Sequence, residues 1–274
     1  MIDIHTHPCS LTDRSVYDHF SVSGEIPEAA LVSFWEAVRD VDRAVVLALW
    51  APASGIEVSN EFVAAIVRQA PARLVGFASA EPISRDAIPQ LENAVRELGM
   101  RGVKLAPIYQ HFAPDDPRVW PVYAWIQDAG LPIMWHQGAS FLAPDGPLEE
   151  ALPHRLDKVA RAFPRIKMVI AHFGYPWSGE VVAMLRKHRN LYTDVSVLAN
   201  RPWFLYNALI AALEYGVQDK ILLGSDYPAL TATQTAAALR QINKLVWGTG
   251  MPTVPERVIE DIISCNSLAV LGID

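Results

Sequence analysis

His5 and His7 stand two positions apart near the amino terminus. In extended backbone, residues i and i+2 point to one side, so two imidazoles so spaced can share one cation. A chance His-x-His arises roughly 0.2 times in a chain with this histidine content, so the pair gains meaning only from its context. Three further groups supply that context. His136 closes the run Leu-Pro-Ile-Met-Trp-His, His172 closes Met-Val-Ile-Ala-His, and Asp226 closes Ile-Leu-Leu-Gly-Ser-Asp. If the ends of these runs meet, His5, His7, His136 and Asp226 form a set that suits Zn²⁺, or Mn²⁺ or Fe²⁺ with added waters. His172 then lies beside the cation as an acid, base or electrophile, with a role as a further ligand left open. A divalent ion lowers the pKa of bound water toward about 7. Asp226 would take its proton and His172 would polarise the substrate or protonate the product.

The elements that must position these groups are legible as short apolar runs at residues 1–5, 43–49, 73–79, 102–105, 132–135, 166–171, 191–195 and 220–223. Such runs read as strands buried on both faces. Amphipathic stretches at 28–41, 60–70, 87–98, 119–129, 156–163 and 204–215 lie between them and read as helices. Gly99, Gly130 and Gly216 follow helical stretches where a left-handed residue ends a helix, and Pro27 suits a first helical turn. Eight strands with intervening helices predict an α/β (β/α)8 TIM barrel of a single domain, 1–274, with an additional C-terminal helix over 255–271. An open doubly wound sheet is the alternative. It expects a glycine-rich first turn, where this chain has His-Thr-His-Pro.

In a barrel the C-terminal strand ends carry the chemistry. Lys104 falls within the fourth predicted strand, with three readings: an ion pair beneath the mouth, a partner for a substrate carboxylate, or a carbamylated bridge to a second metal. Glu81 and Asp194 are expected either to orient the histidines or to cap the helices that follow. Arg14, Trp50, Tyr109, Gln137, Trp177 and Tyr227 fall on mouth-side loops and could line a pocket for a planar or anionic substrate.

Composition narrows the partners. The chain of 274 residues is 51% hydrophobic and 19% charged, enough apolar material for a large core. A net charge of −7 without a basic run argues against nucleic acid and for a small-molecule substrate. No run reaches the roughly 18 apolar residues of a membrane span, and the first residues lack a basic and apolar leader. Cys9 and Cys265 form no metal-binding or disulfide pattern, so a reducing, cytoplasmic setting is expected, with a homodimer left open.

Taken together, the motifs resemble the amidohydrolase-2 group of the amidohydrolase superfamily, which includes aminocarboxymuconate-semialdehyde decarboxylase, aromatic-acid decarboxylases and lactonases. The resemblance rests on Ile4-His5-Thr6-His7, Gly102-Val103-Lys104-Leu105 with Tyr109-Gln110, Leu131 to His136, Ala171-His172-Phe173-Gly174, Leu191 to Ser196, Gly224-Ser225-Asp226-Tyr227-Pro228, and Asn266 to Gly272 in the last helix. It implies a barrel with one divalent metal on His5, His7, His136 and Asp226, zinc first among the candidates, and a catalytic His172. It also implies either hydrolysis of lactones and related bonds or decarboxylation of unsaturated and aromatic acids. Some of those decarboxylases carry Glu at the first position of His-x-His, so His5 does not choose between the branches. This chain is shorter than many of them, which favours a hydrolase of a small carboxylate-bearing lactone, ester or amide. A catalytically silent barrel used as a binding module is the reading from a different class.

Overall fold

The computed structural model describes residues 1–8, 28–140 and 142–274. Arg14, Cys9 and Pro27 therefore lie outside the described residues. The strands are β1 (Ile2–Thr6), β2 (Arg43–Leu47), β3 (Leu49–Ala51), β4 (Ile56–Val58), β5 (Leu74–Ala78), β6 (Gly102–Leu105), β7 (Ile133–Trp135), β8 (Met168–Ile170), β9 (Leu191–Asp194) and β10 (Ile221–Leu222). Eight of them form one parallel sheet in the order β1-β2-β5-β6-β7-β8-β9-β10. Its two edges meet. Ile4 N donates to Leu223 O (3.1 Å), Asp226 N to His5 O (2.8 Å) and His7 N to Tyr227 O (2.8 Å). The same bonds that close the barrel thus place Asp226 against His5 and His7.

The helices between the strands are α1 (Glu28–Ala37), α2 (Asn60–Val67), α3 (Ala87–Arg96), α4 (Pro107–Gln110), α5 (Trp120–Asp128), α6 (Leu156–Ala162), α7 (Ser178–Lys187), α8 (Pro202–Glu214) and α9 (Ala232–Gln241). Alternating strand residues divide the core. Val45, Leu47, Phe77, Met134, Val169 and Leu222 fill an interior cluster, while neighbours such as Val46, Ile133 and Ile170 join the cluster that includes the helices. Gly99, Gly130 and Gly216 adopt φ of 75°, 69° and 64°, as expected of residues that end helices.

Two expectations need correction. The predicted terminal helix over 255–271 is two helices, α10 (Glu256–Ser264) and α11 (Ser267–Leu271). Cys265 is extended at φ −53°, ψ 131°, and the Asn266 side chain caps the second helix by accepting from Ala269 N. The break turns Leu268, Leu271 and Ile273 into the interior cluster, where they plug the barrel near the start of β1. The predicted strand over 43–49 stops at Leu47, and the chain then folds β3 and β4 into a hairpin, with Gly55 at φ 70° between them. Helices α7 and α9 lacked a clear sequence signal. Gly179 weakens the start of α7. In α9, Leu239 is the one large apolar residue, and the capping box of Thr231 and Gln234 marks the start instead.

One ion network ties α6 to the end of α7. Asp157 accepts from Lys187, from His188 Nε2 (2.7 Å) and from Arg161 Nε (3.1 Å). Burial would raise its carboxyl, but these three donors outweigh it and hold it at about 2, below the ordinary 3.8. A folded value below the unfolded one stabilises above about pH 4, and the effect is lost as pH falls toward 2. Asp157→Asn is expected to cost about 1–2 kcal/mol at pH 7, measured by urea unfolding, with the deficit shrinking between pH 4 and pH 2. An equal deficit at both ends of that range would reject the ionic origin.

Candidate metal centre

Every proposed ligand sits at or just past the C-terminal end of a barrel strand, and the backbone there is forced. Among the described residues five non-glycine residues have positive φ: His111, His172, Phe173, Val197 and Asp226, between 51° and 59°. All five follow β6, β8, β9 or β10. Each such residue costs about 1–2 kcal/mol, and strain of this kind collects where side-chain direction matters more than stability. At His172 and Asp226 it coincides with side chains that turn toward one centre. His5 Nε2 lies 3.2 Å and His7 Nε2 3.4 Å from Asp226 Oδ1, and His172 Nε2 lies 3.9 Å from Asp226 Oδ2.

His5, His7 and Asp226 each offer one ligand atom, and these atoms all lie within 4.8 Å of one another. The His136 ring packs beside them, its centroid 5.3 Å from that of His172 and 4.7 Å from that of Tyr109. His136 Nε2 is buried and has no hydrogen-bond partner. An unsatisfied buried nitrogen costs about 1–3 kcal/mol, a penalty that a cation removes by taking the lone pair. Burial, with the Lys104 charge adding to it, lowers the pKa of His5 to about 4. Burial likewise lowers His7, and drives His136 well below the usual imidazole value. Burial thus favours the neutral form of all three rings, the state a metal requires. Burial would raise Asp226, but the surrounding imidazoles hold its carboxyl well below the ordinary value. Three neutral nitrogens and a carboxylate fit one divalent cation.

A second grouping of possible ligands, His5, His172 and Asp194, is already satisfied by hydrogen bonds. Asp194 is fully buried. Its Oδ2 accepts from His5 Nδ1 (2.8 Å), and its Oδ1 accepts from the backbone N–H of His172 (2.8 Å) and of Ser196 (3.0 Å). Of the two carboxylates considered for orienting histidines, Asp194 is thus the one that holds them. Glu81 makes no such bond among the described residues, and its carbonyl closes a turn with Ser84. Lys104 is buried on β6 with Nζ 3.3 Å from His5 Nε2. Burial lowers its pKa to about 8, which eases loss of its proton beside a cation.

The expected pocket walls divide. Tyr109 is buried against His136, with its hydroxyl 2.6 Å from Ser140 Oγ. Tyr227 is half-buried next to Asp226, its ring 6.0 Å from Phe34. Gln137 is not available as a donor to substrate. It is fully buried, and its amide nitrogen donates to the carbonyls of Glu150 (2.7 Å) and Leu152 (3.0 Å), pinning the loop after β7. Trp50 lies in the hairpin and lines a polar cleft of about 260 Å³ with Asn60, Ser79 and Gln90, apart from the histidine cluster. Trp177 is half-buried just before α7. Ser196, which the sequence reading passed over, has its hydroxyl 2.7 Å from His172 Nδ1 and 3.1 Å from His5 Nδ1.

A family model described as amidohydrolase matches residues 2–273. The chain belongs to the amidohydrolase family. It is a metal-dependent enzyme, and its fold recurs in solved structures. One is a probable 2-pyrone-4,6-dicarboxylic acid hydrolase from Acinetobacter baumannii with citric acid bound (18% identity, 99% of this chain and 98% of that one, TM-score 0.67). Another is a 5-carboxyvanillate decarboxylase from Sphingomonas paucimobilis (15%, 100% and 99%, TM-score 0.65). A third is a dihydroxybenzoic acid decarboxylase from Polaromonas sp. JS666 with bound manganese (17%, 99% and 96%, TM-score 0.64). At these identities the likeness shows the fold. A search of curated proteins finds no match. Among the described residues of this amidohydrolase, no helix is long and apolar enough to cross a membrane.

Proposed function

We propose that this amidohydrolase hydrolyses a small, carboxylate-bearing lactone, ester or amide, with one divalent ion, Zn²⁺ first among the candidates, held by His5, His7, His136 and Asp226. The observation that carries the reading is the buried, unpartnered Nε2 of His136 beside the His5, His7 and Asp226 cluster. When bound, the ion supplies Lewis-acid polarisation and makes water acidic enough to act near neutral pH. The remaining chemistry falls to the chain's own side chains. Asp226 turns Oδ1 toward His5 and His7 and Oδ2 toward His172, so one carboxylate can both hold a cation and take a proton. Water oxygen forms the new bond to the acyl carbon and its proton passes to Asp226. Asp226 passes that proton to His172 Nε2 across the 3.9 Å between them. The bond from carbon to the leaving oxygen or nitrogen then breaks, and the leaving atom takes the proton from His172 Nε2.

Support for a carboxylate-bearing substrate comes from two directions. Lys104 is a buried amine within the cluster, suited to an anionic group. The structural neighbours are described as decarboxylases of carboxyvanillate and of dihydroxybenzoic acid and as a probable hydrolase of a pyrone dicarboxylic acid. Two of these are decarboxylases, which sustains a second reading in which His172 or Asp226 delivers a proton to carbon as CO2 leaves. Turnover of a panel of pyrone carboxylates and hydroxybenzoates in ¹⁸O-water separates the two. Hydrolysis is expected to place ¹⁸O in the product without gas release. CO2 without label incorporation would replace the hydrolase reading with the second one.

A further inference from the structure

Ser196 lies where β9 gives way to the loop that follows, at 0% exposure, and Val197 at φ 59° turns the chain immediately after it. The polarity of each hydrogen bond around its hydroxyl can be deduced. Asp194 is fully buried and surrounded by donors: Oδ1 accepts from the backbone N–H of His172 (2.8 Å) and of Ser196 (3.0 Å), and Oδ2 accepts from His5 Nδ1 (2.8 Å). As a carboxylate it can only accept. The single O–H of Ser196 is therefore committed to Asp194 Oδ1. The serine oxygen is left with lone pairs, and the nitrogens that face it are His172 Nδ1 at 2.7 Å and His5 Nδ1 at 3.1 Å. His172 Nδ1 also lies 3.1 Å from the carbonyl oxygen of Ser196, which is an acceptor alone. Two acceptors with no proton to offer face Nδ1, so Nδ1 must carry the hydrogen.

From this network we infer that Ser196 is a positioning residue for the reaction: it transmits the fixed polarity of buried Asp194 to His172, so that the lone pair of His172 sits on Nε2 and faces Asp226. The same carboxylate fixes His5 directly, through Nδ1 to Oδ2 at 2.8 Å, and so leaves His5 Nε2 for the cation. One buried anion thereby sets the tautomers of two histidines with different duties, one by contact and one through a hydroxyl. The two rings are stacked, centroids 5.0 Å apart and planes 23° from parallel, so neither can swing without displacing the other. Gly224 keeps the space open, because a Cβ there would come within 3.0 Å of His5 Cβ and 3.3 Å of Asp194 Oδ2 and Ser196 Cβ. The proposal rests on the assignment of His172 to acid–base duty, but its tautomer component can be read without any substrate.

The test uses zinc-loaded, ¹⁵N-histidine-labelled protein. Wild-type His172 is expected to show a protonated Nδ1 and an Nε2 without hydrogen, and a protonated Nε2 would overturn the proposal whether or not the chain proves to be a hydrolase. Ser196→Ala is expected to keep one metal ion per chain, because the bond from His5 to Asp194 survives, and to shift the His172 ring signals toward a mixture of tautomers. With a substrate in hand, kcat should fall about 10- to 100-fold with KM within about two-fold, and Ser196→Thr, which retains the hydroxyl, should recover most of the loss. Unchanged His172 signals in Ser196→Ala, or an unchanged kcat, would overturn the proposal. If the alanine variant does not fold, the wild-type signals decide alone.

Discussion

His136→Ala is expected to empty the metal centre. Its imidazole gains from a cation, since Nε2 has no hydrogen-bond partner while burial favours the neutral ring. Removing it takes one of four proposed ligands and leaves a hole beside Tyr109, whose ring now packs 4.7 Å away. Metal content after dialysis, measured by inductively coupled plasma mass spectrometry, should fall from about one ion per chain to below about 0.1, and turnover by at least about 10³-fold. Loss of the unpaired Nε2 offsets part of the cost of the hole, so the metal-free protein should still fold, with a modestly lower thermal midpoint. Full metal retention in this variant would refute the four-ligand centre.

His172→Asn should give the opposite pairing of results: metal retained, turnover reduced by at least about 10³-fold. The ring reaches Asp226 Oδ2 at 3.9 Å, farther than His5 or His7 from the same carboxylate, and its other nitrogen is spent on Ser196. It is placed to exchange protons with Asp226 and a substrate atom instead of completing the ligand set. Asparagine keeps polarity and approximate size but cannot act as an acid or base near pH 7. Metal analysis and single-turnover assays on the same preparation check both halves. If His172→Asn loses metal as fully as His136→Ala, His172 is a ligand and the acid–base assignment falls.

Strands were legible because both of their faces are buried. Runs such as residues 44–47 and 133–135 are continuously apolar, as strands buried on both faces require. Glycines that end helices were legible because side chains rarely adopt a left-handed backbone. The β3–β4 hairpin was not, since three-residue strands carry too little periodicity, and α9 was not, since an Ala-, Thr- and Gln-rich helix has almost no apolar stripe to detect. Gln137 follows a candidate ligand and looks suited to a substrate, yet backbone carbonyls 13 and 15 positions later claim its donors.

By itself the sequence determined which groups could meet. Eight apolar runs with polar residues at their ends fix a barrel topology, and topology fixes which ends share a mouth. What it could not determine is the distance and polarity of each encounter. The approach of Asp226 to His5 depends on closure between β1 and β10, on a positive φ at Asp226, and on backbone bonds between residues more than 200 positions apart. Likewise, Ser196 is one more small polar residue along the chain. Only in three dimensions does one hydroxyl face a buried carboxylate and two imidazoles at once. Side-chain type and spacing are local properties written in the chain, whereas the direction of a hydrogen bond is settled by whatever lies opposite, and in a barrel that partner comes from a distant strand.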